Sequence, residues 1–470
     1  MRIIAKIAPF FIVLLSLILR LYNIEQFAEF LGDQGRTGII VYEAWRDRTI
    51  PLIGPTVLTG QHLGPAWYYL IGPFYILSRF NPLGPAVGMA LYGALATLTL
   101  YLLTKKLYGP FIGSLVALLW SVSPLIVRQD QTIWEPNLVP LFVLVFLLGL
   151  KNRNYLLLWG ACGVLVQLHI PNIIFIPIAI VVSRRWKPAF AGVLLFLLIQ
   201  VPFFVYETQH GFRDIVGVMN VMSQPSAFSK TQFLMSFIDY TSRVFFRAIP
   251  TGNQVAMIVI QLMLGLLLLV SKSRWNIFLL AIYVFGIAAM ARYQGLVHDH
   301  YLNFLLPFPF LFIANGLRIV HKYSKLGTVL VGSILIIWQI TKPGYFPQPR
   351  GDIDRVGEGA SAIVQDAQGF SYSFTVIGSP SFNDLHYRYF FLLNHSVPAD
   401  IRTHNVDKLY VICEIGNMCP NLDQHAVINV MCFDAHCEGE YPKLNLWEWN
   451  YEKTIPVGSS FIFVFGTIKA

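Results

Sequence analysis

Gly32-Asp33-Gln34-Gly35-Arg36 gathers a carboxylate, an amide and a guanidinium into one short block just beyond the first long apolar stretch. A carboxylate held where an apolar segment meets water has the chemistry of a general base. Further ionisable or amide side chains recur at the edges of later apolar stretches: Glu43, Gln61 and His62, Arg128, Asp130 and Glu135, Gln167 and His169, and Arg292, His298, Asp299 and His300. Arg and His suit a site where negative charge develops on an oxygen, and His also titrates near neutral pH, so it can deliver a proton. His298-x-His300 offers two imidazoles that would hold zinc or manganese if Asp33 or Glu135 completed the set, although contact with a phosphate is the preferred reading. No other cofactor is called for. Each group also has a plainer use. Asp33 could cap a helix starting near Thr37, Glu135 could sit in the first turn after Trp134, and Arg36 and Glu43 could form ion pairs in a loop. His62 and His169 could be hydrogen-bonded structural residues.

The elements that must position these groups are apolar. The chain has 470 residues, 55% of them hydrophobic and 13% charged, with a mean hydropathy of +0.58. A soluble globular protein carries about 25% charged residues, so a soluble enzyme is excluded and a polytopic all-α membrane protein is expected. Expected spans cover 3–22, 84–104, 109–127, 137–150, 155–170, 171–183, 188–206, 254–271, 275–291, 301–317 and 325–341, a total of about eleven against a hydrocarbon core of roughly 30 Å. No small-x-small cleavage site follows the first, so it reads as an uncleaved signal anchor. Alternate connections then collect Arg2 and Lys6, Lys105 and Lys106, Lys151 and Arg153, Arg184, Arg185 and Lys187, Lys272 and Arg274, and Arg318, Lys322 and Lys325. That series is the positive-inside pattern, and it accounts for the net charge of +9 through orientation and contact with anionic lipid. Counting 64–79 as a crossing would break it. The segment Trp67-Tyr68-Tyr69-Leu70-Ile71 is therefore read as a helix lying in the outer interface. Residues 23–83, 207–253 and everything from 342 onward fall outside the cytoplasm. Nucleic acid is not expected as a partner, since no basic stripe lies on a soluble face.

From about residue 342 the texture changes, dividing the chain into a membrane domain, 1–341, and an extracytoplasmic α/β domain, 342–470. Helical spacing covers Asp352 to Asp366 and Leu385 to Leu393; strand patterns cover 374–377, 408–413, 427–433 and 461–467. Cys413, Cys419, Cys432 and Cys437 make an even number in an oxidising compartment, so one or two disulfides are expected, with three connectivities open. A zinc site using His425 and His436 is the lesser alternative. Cys162 reads as a packing residue.

Taken in order, these features resemble the GT-C superfamily of integral-membrane glycosyltransferases. They are an acidic motif early in a long outer loop, Gly64-Pro65-Ala66-Trp67-Tyr68-Tyr69, and the late segment His300-Tyr301-Leu302-Asn303-Phe304-Leu305-Leu306-Pro307. The likeness is to the protein O-mannosyltransferase and lipid A aminoarabinose transferase group, and it covers residues 1–341. Asp33-Gln34 stands where the mannosyltransferases usually have Asp-Glu. The resemblance implies transfer of a hexose or pentose from a polyprenyl phosphate to an acceptor hydroxyl on the outer face of the cell membrane, by a single displacement with inversion. Asp33 would be the base, and Glu135, or less directly Asp130, would match the group's second carboxylate. Glu135 also leaves open a retaining mechanism. Arg292, His298, His300 and Arg128 would hold the donor phosphate, and Gln34, Arg36, His62, Asp130 and Tyr301 are possible substrate contacts. Partners are the polyprenyl-phosphate sugar, membrane lipid and an acceptor that is protein, glycan or lipid. The competing functions are a transporter or lipid flippase, for which Gln167-Leu168-His169-Ile170-Pro171 is the one broken-helix motif, and an envelope scaffold whose tail recruits partners.

Overall fold

The structure, a computed structural model, describes residues 2–57, 60–183, 186–223, 229–249, 253–271, 273–293, 295–341, 349–400, 405–414, 422, 426–429 and 443–467. Contacts divide the chain into two compact units. The first comprises Met1–Tyr22, Ile50–Pro73 and Ala86–Gln348; the second comprises Asn23–Thr49, Phe74–Pro85 and Pro349–Ala470. The unit that holds the tail thus also takes in two stretches from the first outer loop, the polar block with Asp33 among them.

In chain order the helices are α1 (Arg2–Leu21), α2 (Ile24–Phe27), α3 (Gly32–Asp47), α4 (Ala66–Leu77), α5 (Leu83–Tyr108), α6 (Pro110–Ser121) and α7 (Pro124–Gln129). They continue as α8 (Val139–Asn152), α9 (Tyr155–Leu168), α10 (Phe175–Val182), α11 (Trp186–Gln209), α12 (Arg213–Ser223) and α13 (Lys230–Ala248). Then come α14 (Gln254–Val270), α15 (Arg274–Ala291), α16 (Pro307–Tyr323) and α17 (Lys325–Ile340). Each expected span finds a helix. Local signals set their starts: Asn154 accepts from the Leu157 amide at 3.2 Å, Asn253 from Ala256 at 3.1 Å and Ser324 from Gly327 at 2.9 Å, all N-caps. Among the described residues four helices are long and apolar enough to cross a membrane, Leu83–Tyr108, Glu135–Asn152, Lys187–Gln209 and Arg274–Ala291, and a fifth is formed if Asp299–Leu305 and Pro307–Tyr323, bent by 42°, count as one. Seven further apolar helices run to 10–17 residues.

The segment around Trp67 is helical as expected, and α4 buries Trp67 and Ile71 while Tyr69 and Leu77 stay exposed. The Ala66 amide donates to Gln167 Oε1 of α9 at 2.9 Å, and Tyr92 of α5 donates to the Leu70 carbonyl at 3.0 Å. The segment expected as the second outer loop carries α12 and α13. A capping box opens α13, with the Gln232 amide donating to Ser229 Oγ at 3.1 Å and the Ser229 amide donating to Gln232 Oε1 at 2.9 Å.

The second unit adds α18 (Asp352–Ala367), β1 (Tyr372–Ile377), α19 (Leu385–Leu393), β2 (Lys408–Cys413), β3 (Val427–Asn429), β4 (Lys443–Asn445), β5 (Trp449–Val457) and β6 (Ser460–Thr467). The main sheet has the order β1-β2-β6-β5. β1 and β2 are parallel, in register from Tyr372 with Lys408 to Ile377 with Cys413, with α19 as the crossover between them. Alternation along β2 sends Tyr410 and Ile412 into a core with Val356, Ile363, Phe374, Tyr387 and Phe391, and Leu409 and Val411 into another with Ile428, Leu446 and Phe465. The expected strand at 427–433 is β3 as far as Asn429; β4 and β5 were not anticipated. Cys413 is disulfide-bonded, while Cys419, Cys432, Cys437, His425 and His436 lie outside the described residues. Cys162 is buried and free, as a packing residue should be.

Candidate functional site

The sequence candidates divide between the units. In the first, the 3-10 helix Asp299–Leu305 carries a cluster of rings. His300 lies 4.5 Å from Trp134, 4.6 Å from Tyr301 and 5.5 Å from His169 between centroids. His298 stacks on His300 at 5.6 Å and 16°, and His169 meets Tyr301 edge-on at 4.9 Å. His169 joins because α9 stops at Leu168: His169 is extended, with φ −164°, before the 3-10 helix Ile170–Ile174 begins at a proline. Asn172 repairs the break by donating to the Leu165 carbonyl at 2.8 Å. His169 Nδ1 is buried without a hydrogen-bond partner. The broken-helix motif on which the transporter reading rested thus supplies an imidazole to this cluster.

Two arginines one turn apart on α13 grip the same segment. Arg243 binds Asp299 Oδ1 through Nε at 2.8 Å and donates to the Val297 carbonyl at 2.9 Å. Arg247 donates to the Asp299 carbonyl at 2.6 Å and to Asn303 Oδ1 at 2.9 Å. Asn303, fully buried, donates in turn to the Pro136 carbonyl at 2.9 Å, tying in the 3-10 helix that Glu135 begins. Glu135 is itself buried. The arrangement offers cationic and imidazole donors to an anion. Among the described residues no group of at least three His, Cys, Asp or Glu side chains is arranged to hold a metal.

Sequence reasoning missed Arg243, Arg247 and Asn303 and did not foresee Trp134 against His300. The Ser229-x-x-Gln232 box was a legible signal for α13, and four-residue spacing puts both arginines on one helix face. The remaining candidates of this unit fall elsewhere. Arg128, at the end of α7, is exposed and makes no side-chain ion pair among the described residues. Arg292 is exposed where α15 ends. Asp130 is taken by a buried pair with Arg20 at 2.7 Å, whose guanidinium also donates to the Ser16 carbonyl at 2.9 Å. His62 Nδ1 faces Asp214 Oδ2 at 3.0 Å.

In the second unit, Asp33 stands in the first turn of α3, which starts at Gly32 rather than near Thr37. Its carboxylate pairs with Arg36 at 3.1 Å, and the Asp33 side chain is 42% exposed. Arg36 Nε is buried without a hydrogen-bond partner. Gln34 is folded back, its Oε1 accepting from the Leu31 amide at 2.9 Å.

No protein-family model matches the chain, and no curated protein matches it by sequence. Solved structures do match. ArnT from Cupriavidus metallidurans bound to undecaprenyl phosphate superposes with a TM-score of 0.56 at 11% identity, over 97% of this chain and 97% of that one. The apo ArnT from the same organism gives 0.57 at 12% identity, over 86% and 92%. The oligosaccharyltransferase of Archaeoglobus fulgidus, tethered to an acceptor peptide, gives 0.48 at 13% identity, over 84% and 63%. The likeness is one of fold: this chain is a multi-helix membrane protein with the architecture of ArnT.

Proposed function

We propose that this protein is a membrane glycosyltransferase that moves a monosaccharide from a polyprenyl phosphate to an acceptor hydroxyl. The reading is carried by the ArnT-like fold together with the cluster of His169, His298, His300 and Arg247. The acceptor oxygen attacks the anomeric carbon, its proton passes to Asp33, and the bond from that carbon to the phosphate oxygen breaks. The polyprenyl phosphate leaves with the electron pair, its charge met by Arg247 and the imidazoles. One displacement inverts the anomeric centre. Glu135 supports the cluster through the Trp134–Pro136 turn rather than acting as a nucleophile. The reaction is assigned to the extracytoplasmic side, a reading supported by the Cys413 disulfide.

The test is transfer from a panel of polyprenyl-phosphate monosaccharides by the purified full-length protein in lipid. One donor should be consumed with acceptor present, and Asp33→Asn should abolish that consumption. Full activity in Asp33→Asn would remove Asp33 from the role of base; bidirectional movement of lipid without sugar transfer would favour the flippase reading.

A further inference from the structure

We propose that the C-terminal α/β fold exists in part to position Asp33, an inference that rests on the transferase reading. The residues around Asp33 are tied to the tail at the backbone. The Phe30 amide donates to Asp352 Oδ2 at 3.4 Å, and the Gly32 amide donates to Ser381 Oγ at 3.0 Å. Both acceptors belong to one continuous polar network. Ser381 donates its amide to Ser379 Oγ at 3.0 Å, and Ser379 donates to Glu414. Glu414 also meets Arg355 at 2.8 Å, and Arg355 returns to Asp352 at 2.8 Å. Ser379 and Ser381 lie in the turn from β1 to α19, and Glu414 follows β2. This is the carboxyl edge of a parallel pair, where open α/β sheets take their ligands; here the entry to α3 is bound there instead. Ring packing adds to the hold, with Phe30 5.6 Å from Tyr389 and 5.5 Å from Phe390.

The approach of α3 to α19 is too close for side chains. A Cβ at Gly35 would strike the Leu385 carbonyl and the His386 amide nitrogen, and one at Gly38 would strike the Tyr389 ring. Backbone atoms cannot move aside as a side chain does, so a methyl at Gly35 must push α3 away. Among the described residues the Asp33 carboxylate pairs with Arg36 and takes no part in the attachment. Positions on both sides of it are fixed while the carboxylate is left for chemistry. Ser381, Gly35 and Tyr389 are positioning residues.

The experiment compares wild type, Gly35→Ala and Ser381→Ala, full length in lipid, by donor kinetics and by amide hydrogen exchange of residues 32–47. Gly35→Ala should lower kcat by about tenfold or more with donor KM within about twofold, since a misplacement near 1 Å is enough for such a loss. Exchange in α3 should quicken in parallel. Asp33→Glu should slow the wild type yet cost little further in the Gly35→Ala background, because its longer reach offsets the retreat of the helix. Ser381→Ala, which inserts no atoms, should lower kcat by a smaller factor and serves if Gly35→Ala fails to fold. Faster α3 exchange with wild-type kcat would overturn the inference, as would a loss confined to KM. A wild type inactive on every donor would instead overturn the transferase reading beneath it.

Discussion

Glu414→Gln tests the network that holds the second unit together. Glu414 is buried. Burial alone would raise its pKa, but the hydrogen bond and charge of His386, together with Arg355 and Ser379, bring it down from 4.5 to about 2. A carboxylate stabilised in its charged form adds stability that is fully present above its unfolded pKa and is lost as the pH falls through the folded value. The drop corresponds to on the order of 3 kcal/mol, lost between about pH 5 and pH 2. Glutamine keeps the size and removes the charge, while Arg355 keeps Asp352 as its anion, so the loss at neutral pH falls below the roughly 3–5 kcal/mol of a buried pair broken outright. The assay is hydrogen exchange of β1 and β2 amides in the full-length protein, corrected for intrinsic rates, from pH 7 to pH 2. The wild type should lose protection across the acidic window. Glu414→Gln should begin lower at neutral pH and lack this component of the slope. Parallel pH profiles for the two proteins would refute the reasoning and assign the acid sensitivity to other carboxylates.

Two further outcomes are expected. Arg20→Met should destabilise the first unit by about 3–5 kcal/mol, because it strands the buried Asp130, whereas Arg20→Met combined with Asp130→Leu should recover most of the loss; thermal unfolding in detergent reads both. Arg247→Met should weaken binding of undecaprenyl phosphate by roughly tenfold, the scale of one charge-assisted hydrogen bond, as measured by titration of the purified protein, and unchanged affinity would confine Arg247 to bracing the Asp299–Asn303 turn.

Much of the architecture was legible because its causes are local. Apolar runs bounded by Asn, Ser and Pro gave helices that match the expected spans, and α18, β1, α19, β2 and β6 follow from period and side-chain type. The Lys and Arg residues follow the positive-inside pattern. Sequence periodicity could not show that Gln167 and Tyr92 hold the backbone of α4. Nor could it show how the candidate residues would be shared out. Asp130 looked like a boundary residue, and only folding made it half of a buried pair with Arg20.

The deepest contribution of tertiary structure concerns Asp33. The sequence determined that a carboxylate stands close to the start of a helix beyond the first apolar stretch, and that Gly32, Gly35 and Gly38 recur every third residue. It did not determine what those glycines face. Gly32 and Ser381 are 349 positions apart, and a backbone amide carries no label for its distant acceptor. Glycine records that something comes close without recording what, whereas packing a helix against the Leu385–His386 backbone gives that absence of side chain its partner. Local physics wrote the elements; the pairing of α3 with α19, and of Arg247 with Asn303, was settled only when long-range burial and hydrogen bonding selected one arrangement among the many that the same elements allow.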